Sequence, residues 1–251
     1  MRLATLLFLG AALALASCGQ ADDAPDRPET ARDFPEPDRP VSEVGSNQFS
    51  TEDKRDSQGE AQKVMDVAGI EPGMTVADIG AGEGYYTVRL AERVGEHGRV
   101  LAQDIDRGAL ERLGRRVERE RLDNVSIKFG AADDPRLPED SFDRVLLVHM
   151  YHEVEEPYAF LWRLWPALRE GGTVVVVDMD RPTDQHGIPP ALLSCEFERV
   201  GYRLDLIEKA PEIAGYFAQF SRGATRPDPD DIVPCKGQGS AAMADEAKSR
   251  G

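Results

Sequence analysis

Two stretches of the chain, Val145-Leu146-Leu147-Val148 and Val174-Val175-Val176-Val177, are unbroken runs of branched apolar residues. A strand that is apolar at every position must be covered on both faces, which an antiparallel sheet with one solvated side does not provide. Strand-like and helix-like patterns alternate around these runs. Strands are expected at Thr75–Ile79, Val100–Asp104, Val125–Phe129, Arg144–Val148 and Thr173–Asp178, with helices near Tyr86–Val94, Ala109–Arg121, Tyr158–Leu168 and Ala191–Val200. Such alternation calls for an α/β fold with a doubly wound, mostly parallel sheet. Tyr202–Glu208 and Gly215–Ser221 then read as an antiparallel pair at the sheet edge, making seven strands. Ahead of the first strand, Ser57-Gln58-Gly59-Glu60 reads as a capping box opening a helix that Gly69 closes.

The densest motif is Asp78-Ile79-Gly80-Ala81-Gly82-Glu83-Gly84-Tyr85, a strand ending in an acid followed by a glycine loop that opens a helix. Glycines let the backbone turn sharply and let a ligand approach with no Cβ in the way. A second acid, Asp104, ends the next strand, at the separation expected of the carboxylate that holds ribose hydroxyls in a βαβ nucleotide fold. A dinucleotide loop needs a third glycine where this chain has Tyr85.

The acid-x-Gly-x-Gly-x-Gly form resembles motif I of the class I S-adenosylmethionine-dependent methyltransferases, and the resemblance runs from about Asp56 to Phe220. Asp134 to Asp143 followed by Val145–Val148 looks like the family's adenine-side loop and fourth strand. Leu168-Arg169-Glu170-Gly171-Gly172 looks like its Leu-x-Pro-Gly-Gly turn, with Glu170 in place of Pro. The resemblance implies a Rossmann-like methyltransferase fold and S-adenosyl-L-methionine as cofactor. Asp78 would orient the loop and the methionine ammonium, and Gly80, Ala81, Gly82 and Gly84 would line the cofactor. Asp104 would hold the ribose and Ile105 pack on adenine. Ala131 and Ala132 intervene where relatives place an acid after Gly130, which makes Asp133 the candidate for the adenine amine.

In an open α/β sheet the site lies beyond the carboxyl ends of the strands. The fourth strand ends at His149-Met150-Tyr151-His152-Glu153, and His186 follows the fifth. This Tyr-His-Glu resembles a subgroup acting on small molecules. Methyl transfer from a sulfonium is an in-line displacement, so a base is required only when the acceptor arrives protonated. His152 is the first candidate base and His186 the second, with Tyr151 and Glu153 shaping the acceptor pocket. No metal is expected: His149-x-x-His152 lacks an obvious third ligand, and on a strand end residues i and i+3 face opposite ways.

Met1-Arg2, the apolar run from Leu3, and Leu15-Ala16-Ser17-Cys18 follow signal-peptide grammar, and a cysteine in that position resembles a bacterial lipobox. The resemblance implies cleavage before Cys18, its lipidation, and a protein held in the cell envelope facing the periplasm. The expected organisation is a lipoprotein-type signal peptide at 1–18, a solvated Pro- and Asp-rich tether at 19–48, a methyltransferase-like domain at 49–223 and an irregular tail at 224–251. In an oxidising compartment Cys195 and Cys235 are free to pair. Lys and Arg number 30 against 46 Asp and Glu, a net charge of −16 that disfavours nucleic acid as a partner. Charged residues at 30% of the chain exclude a polytopic membrane protein. The expected partners are therefore a small-molecule methyl acceptor and, through Cys18, a membrane. Because this cofactor is made in the cytoplasm, export favours a competing reading, a non-catalytic ligand-binding lipoprotein on the same fold.

Overall fold

A computed structural model describes residues 27–43, 51–210 and 215–237. Cys18, the signal-like segment and residues 19–26 and 44–48 of the expected tether lie outside them. In chain order the elements are α1 Glu52–Ser57, α2 Glu60–Val67, β1 Thr75–Ile79, α3 Tyr85–Val94, β2 Arg99–Asp104, α4 Arg107–Glu120 and β3 Val125–Phe129. Then come β4 Phe142–Val148, α5 Pro157–Leu164, β5 Leu168–Asp178, α6 Pro190–Arg199, β6 Tyr202–Ala210 and β7 Gly215–Arg222. The seven strands lie in the order β3-β2-β1-β4-β5-β7-β6. β1 to β5 pair in parallel, whereas β7 runs antiparallel to both β5 and β6 and sits one place in from the edge.

The sheet is covered on both faces, as its apolar strands require. On one side Val76, Val100, Leu146, Val175 and Val177 pack against Ala61, Val64 and Met65 of α2 and Leu90, Ala91 and Val94 of α3. On the other, Ile79, Val145, Leu147, Val174 and Val176 meet Tyr158, Leu161 and Leu164 of α5 and Leu193 and Phe197 of α6. Burying one such aliphatic side chain contributes about 1.5–3 kcal/mol, so these central strands hold much of the fold's stability. Among the described residues no helix is long and apolar enough to cross a membrane.

Three local expectations are corrected. Ser57 does not cap α2: it ends α1, its Oγ donates to the Lys54 carbonyl, and Gly59 takes the N-cap position at φ +66°. The helix expected over Tyr158–Leu168 stops at Leu164, because Pro166 offers no N–H to continue it, and Leu168 already belongs to β5. The third correction is the largest. Residues 27–43 of the expected tether are docked on the domain as a strap.

Arg27 pairs with the buried Glu156 at 2.6 Å, Arg39 pairs with Glu196 at 2.7 Å, and Ala31 and Phe34 join the core beside α5. The connection from β3 to β4 contains no helix, so the strap supplies apolar cover on the face that α5 and α6 share. Its far end pairs with the tail through a bridge between Asp38 and Lys236, and a disulfide joins Cys235 to Cys195 of α6. Of the expected tail, residues 224–237 carry one 3-10 turn at Pro229–Asp231 and are packed, with Ile232 and Cys235 buried, whereas residues 238–251 lie outside the described residues.

Candidate functional site

The parallel strands β1, β2 and β4 end along one side of the sheet, where residues from their following loops line a cleft of about 770 Å³. Its floor is the loop after β1, represented by Ile79, Gly80, Ala81, Gly82 and Glu83. Gly80 sits at φ +70°, and a Cβ there would come within 2.9 Å of the Met150 side chain. Asp78 is buried beneath this loop and accepts a hydrogen bond from Thr87 Oγ1 at 2.6 Å, which ties the strand end to the first turn of α3. Burial pushes its carboxyl up to about 6; the Thr87 bond opposes the rise and the charge of Asp104 adds to it. Asp78 thus ties β1 to α3, and its carboxylate is not part of the cleft wall. Gly84 is also off the wall: it caps α3 at φ +89°, and a Cβ would strike Leu113 at 2.4 Å.

Asp104 stands on the wall at the end of β2. Its Oδ2 accepts from the Gly82 N–H at 2.8 Å and its Oδ1 from the Asp106 N–H at 2.8 Å. A carboxylate has about four lone-pair sites, so two remain for a pair of hydroxyls. Ile105, 39% exposed, lies beside it, and Ala131 and Ala132 complete that end. Asp133 does not serve there. Its carboxylate is buried and accepts from Thr30 Oγ1 at 2.6 Å and from Arg163 Nη1 at 2.6 Å, which commits it to holding the strap.

The opposite end of the cleft is lined by Val148, His149, Met150, Glu153, Val154 and Phe160. Of the four residues expected to meet the acceptor, Glu153 alone is on this wall. Tyr151 is fully buried and its hydroxyl donates to Glu196 Oε2 at 2.8 Å, so it braces α6 and does not shape the pocket. His152 is also fully buried, with Nδ1 at 2.9 and 3.0 Å from the two carboxylate oxygens of Asp178. His186 lies in the loop after β5 at φ +54°, its ring 5.7 Å from that of His152, and its backbone N–H donates to Ser42 Oγ of the strap at 3.0 Å. His149 adopts φ +54°, and burial lowers the pKa of its imidazole.

The segment Tyr151–Glu153 is a 3-10 turn, so the strand-end argument against a metal does not hold. His149 and His152 do not form the pair; among the described residues His152, Glu153 and His186 come together instead. The sequence reading also missed Thr51, Glu52 and Arg55, which put α1 on the cleft, along with Gln103 and Arg112. Arg55 stacks over Tyr85 with its guanidinium carbon 3.7 Å from the ring centroid and pairs with Glu60. A six-residue helix with no buried residue has no periodic signal that could have placed it here.

Residues 76–172 match a protein family described as a methyltransferase domain. Over 171 residues the chain is 28% identical to the ubiquinone/menaquinone biosynthesis C-methyltransferase UbiE of Shewanella sp. strain W3-18-1, covering 67% of this chain and 66% of that one. The match thus spans just under two thirds of that relative's length. Among solved structures, a SAM-dependent methyltransferase from Aquifex aeolicus superimposes with TM-score 0.58 at 23% identity, over 64% of this chain and 87% of that one. A phosphoethanolamine N-methyltransferase from Haemonchus contortus, solved with phosphoethanolamine and S-adenosylhomocysteine, gives TM-score 0.55 at 17% identity, over 78% of this chain and 49% of that one. These two likenesses establish the shared fold.

Proposed function

We propose that the chain is a class I S-adenosylmethionine-dependent methyltransferase, a reading supported by its match to a methyltransferase-domain family and its likeness to UbiE, and that it transfers the sulfonium methyl of S-adenosylmethionine to a small molecule bound at the Glu153 end of the cleft. The carrying observation is the Asp104 carboxylate, held by two backbone N–H groups at a strand end with two acceptor sites left over. That arrangement fits a ribose diol, Ile105 offers an apolar surface for a base, and the Gly80–Gly82 backbone admits the amino-acid end. When bound, the cofactor supplies an electrophilic methyl group, so the protein's contribution is mainly alignment. Val148, Met150, Val154 and Phe160 give the acceptor end an apolar lining that suits an apolar ring or chain. Glu153 is the carboxylate that lines this end and shapes the acceptor pocket. UbiE, by its name a C-methyltransferase of quinone biosynthesis, is consistent with an apolar acceptor of this kind.

The same reading includes export and a lipid anchor at Cys18, supported by the Leu15-Ala16-Ser17-Cys18 sequence and by the Cys195–Cys235 disulfide, a bond that persists in oxidising compartments. Intact-mass analysis of the membrane fraction should find a diacylated Cys18; an unprocessed N-terminus would overturn the anchor. Calorimetric titration of S-adenosylmethionine into the full chain tests the cofactor site. Micromolar binding that disappears in Asp104→Ala is expected. Equal affinity in the variant would remove Asp104 from recognition, and no binding by the folded wild type would leave a ligand-binding lipoprotein on a methyltransferase fold.

A further inference from the structure

At the acceptor end of the cleft, two loops bring together three groups that the methyl-transfer reading does not require as a set. His152 and Glu153 come from the turn after β4 and His186 from the loop after β5. Each offers a ligand atom, and the three atoms lie within 4.8 Å of one another. We propose that His152 Nε2, the Glu153 carboxylate and His186 form a binding site for one divalent transition-metal ion, with zinc as the ion the donor set suits best.

The argument begins with Asp178. It is fully buried, one of its oxygens accepts the Met179 N–H at 2.8 Å, and both oxygens face His152 Nδ1. In the neutral imidazole this places the proton on Nδ1 and leaves Nε2 as the acceptor. Nε2 is completely buried, has no hydrogen-bond partner, and stands 4.0 Å from Glu153 Oε1. A lone pair facing a carboxylate is unfavourable, and a buried acceptor left unsatisfied costs roughly 1–3 kcal/mol. A cation between the two reverses the sign of that interaction. A carboxylate–imidazole–metal series is the common way in which a protein fixes the tautomer of a ligating histidine.

Two imidazoles and one carboxylate are the donors of zinc sites that keep a further position open, and the set also suits neighbouring transition metals. Ligands about 2.1 Å from a tetrahedral ion stand about 3.4 Å apart, so atoms already within 4.8 Å need only small side-chain rotations. Glu153 also lines the cleft, which puts the ion at the cleft wall with its open position available to a bound molecule. Neither Asp104 nor the glycine loop takes part, so the site stands independently of cofactor binding.

The test is calorimetric titration of Zn2+ alone into the tag-free full chain, purified in detergent and stripped with chelator, in the absence of S-adenosylmethionine. One equivalent should bind with micromolar or tighter affinity. His186→Gln and Glu153→Gln, both at partly exposed positions, should each weaken binding at least 30-fold while circular dichroism stays that of the wild type. Asp178→Asn should weaken it by about 10- to 100-fold through loss of the tautomer lock. Co2+ in place of Zn2+ should show the visible absorption of a low-coordinate nitrogen and oxygen site, abolished in His186→Gln. No stoichiometric binding, or affinity unchanged in both folded single variants, overturns the site. Zinc binding by a chain that fails to bind S-adenosylmethionine supports it and refutes only the cofactor reading.

Discussion

Replacing Arg39 by Met tests whether residues 27–43 are part of the folded domain. Arg39 and Glu196 are each 1% exposed at the side chain, with Arg39 Nε donating to Glu196 Oε1 at 2.7 Å. Arg39 Nη2 donates to the Val154 carbonyl at 3.1 Å, and the Tyr151 hydroxyl donates to the other Glu196 oxygen at 2.8 Å. Burial works against the Arg39 charge, but Glu196 more than restores it and the guanidinium pKa is raised. At an effective dielectric of about 20 the 2.7 Å attraction is on the order of 6 kcal/mol, against several kcal/mol of desolvation for each ion. The intact pair therefore adds little net stability, whereas removing one partner strands a buried charge and costs about 3–5 kcal/mol. Arg39→Met is expected to lose that amount in urea unfolding followed by tryptophan fluorescence with the disulfide intact. The double variant Arg39→Met/Glu196→Leu should lose only about 1–3 kcal/mol, chiefly for the stranded Tyr151 hydroxyl. A loss below about 0.5 kcal/mol in Arg39→Met would mean a solvated residue 39 and would refute the docked strap.

Asp78 binds its proton more tightly in the folded chain, at about 6 against an ordinary 3.8, so its stabilising effect is complete below pH 3.8 and is lost as pH rises through 6, by about 3 kcal/mol in all. Asp78→Asn keeps an acceptor for Thr87 and removes that decline, so its urea midpoint should rise relative to the wild type by about 2 kcal/mol equivalent between pH 4.5 and pH 8; a constant gap refutes the perturbed carboxyl. Cys195→Ser opens a covalent loop with a 40-residue sequence separation and should cost roughly 4 kcal/mol by the chain-entropy relation, read from thermal unfolding. Asp133→Asn should leave S-adenosylmethionine affinity within a factor of two while lowering stability by about 1–3 kcal/mol through its lost pairing with Arg163; a tenfold affinity loss would return Asp133 to the cofactor site.

The features legible in the sequence were those written in local periodicity. β1 and β3 fall at the expected residues because local pattern between turns specifies each: β1 is a short, mostly apolar run buried in the sheet, and β3, a half-exposed edge strand, alternates Val125, Ile127 and Phe129 with Ser126 and Lys128. β5 begins five residues earlier than Thr173, since Leu168 pairs with Phe142 across an irregularity that no one-dimensional pattern carries. Asp104 was readable because its distance from the glycine loop is set by one βαβ unit. The strap was not readable, for a definite reason. Its anchors Arg27 and Arg39 find their acids 129 and 157 residues away, so locally the segment shows only proline and charge, the composition of a tether. His186 was readable as a candidate, but the same distance problem hid its approach to His152, which lies on a different strand's loop.

The strap also bears on the chemistry, because it grips both loops that carry the imidazole–carboxylate group. Ser42 accepts the His186 N–H. Arg39 holds the carbonyl of Val154, next to Glu153, and its partner Glu196 holds Tyr151, next to His152. A site built from two loops on neighbouring strand ends would ordinarily suffer from independent loop motion, since loops sit at the low-stability end of a fold. Here the two loops share a buried ion pair and a common N-terminal segment, itself bridged to the tail at Lys236 and through Cys235 to α6. Rigidity at the acceptor end is therefore supplied from outside the region of methyltransferase likeness. A chain cut back to that region would keep the sheet and Asp104, yet lose the contacts that set His152, Glu153 and His186 against one another.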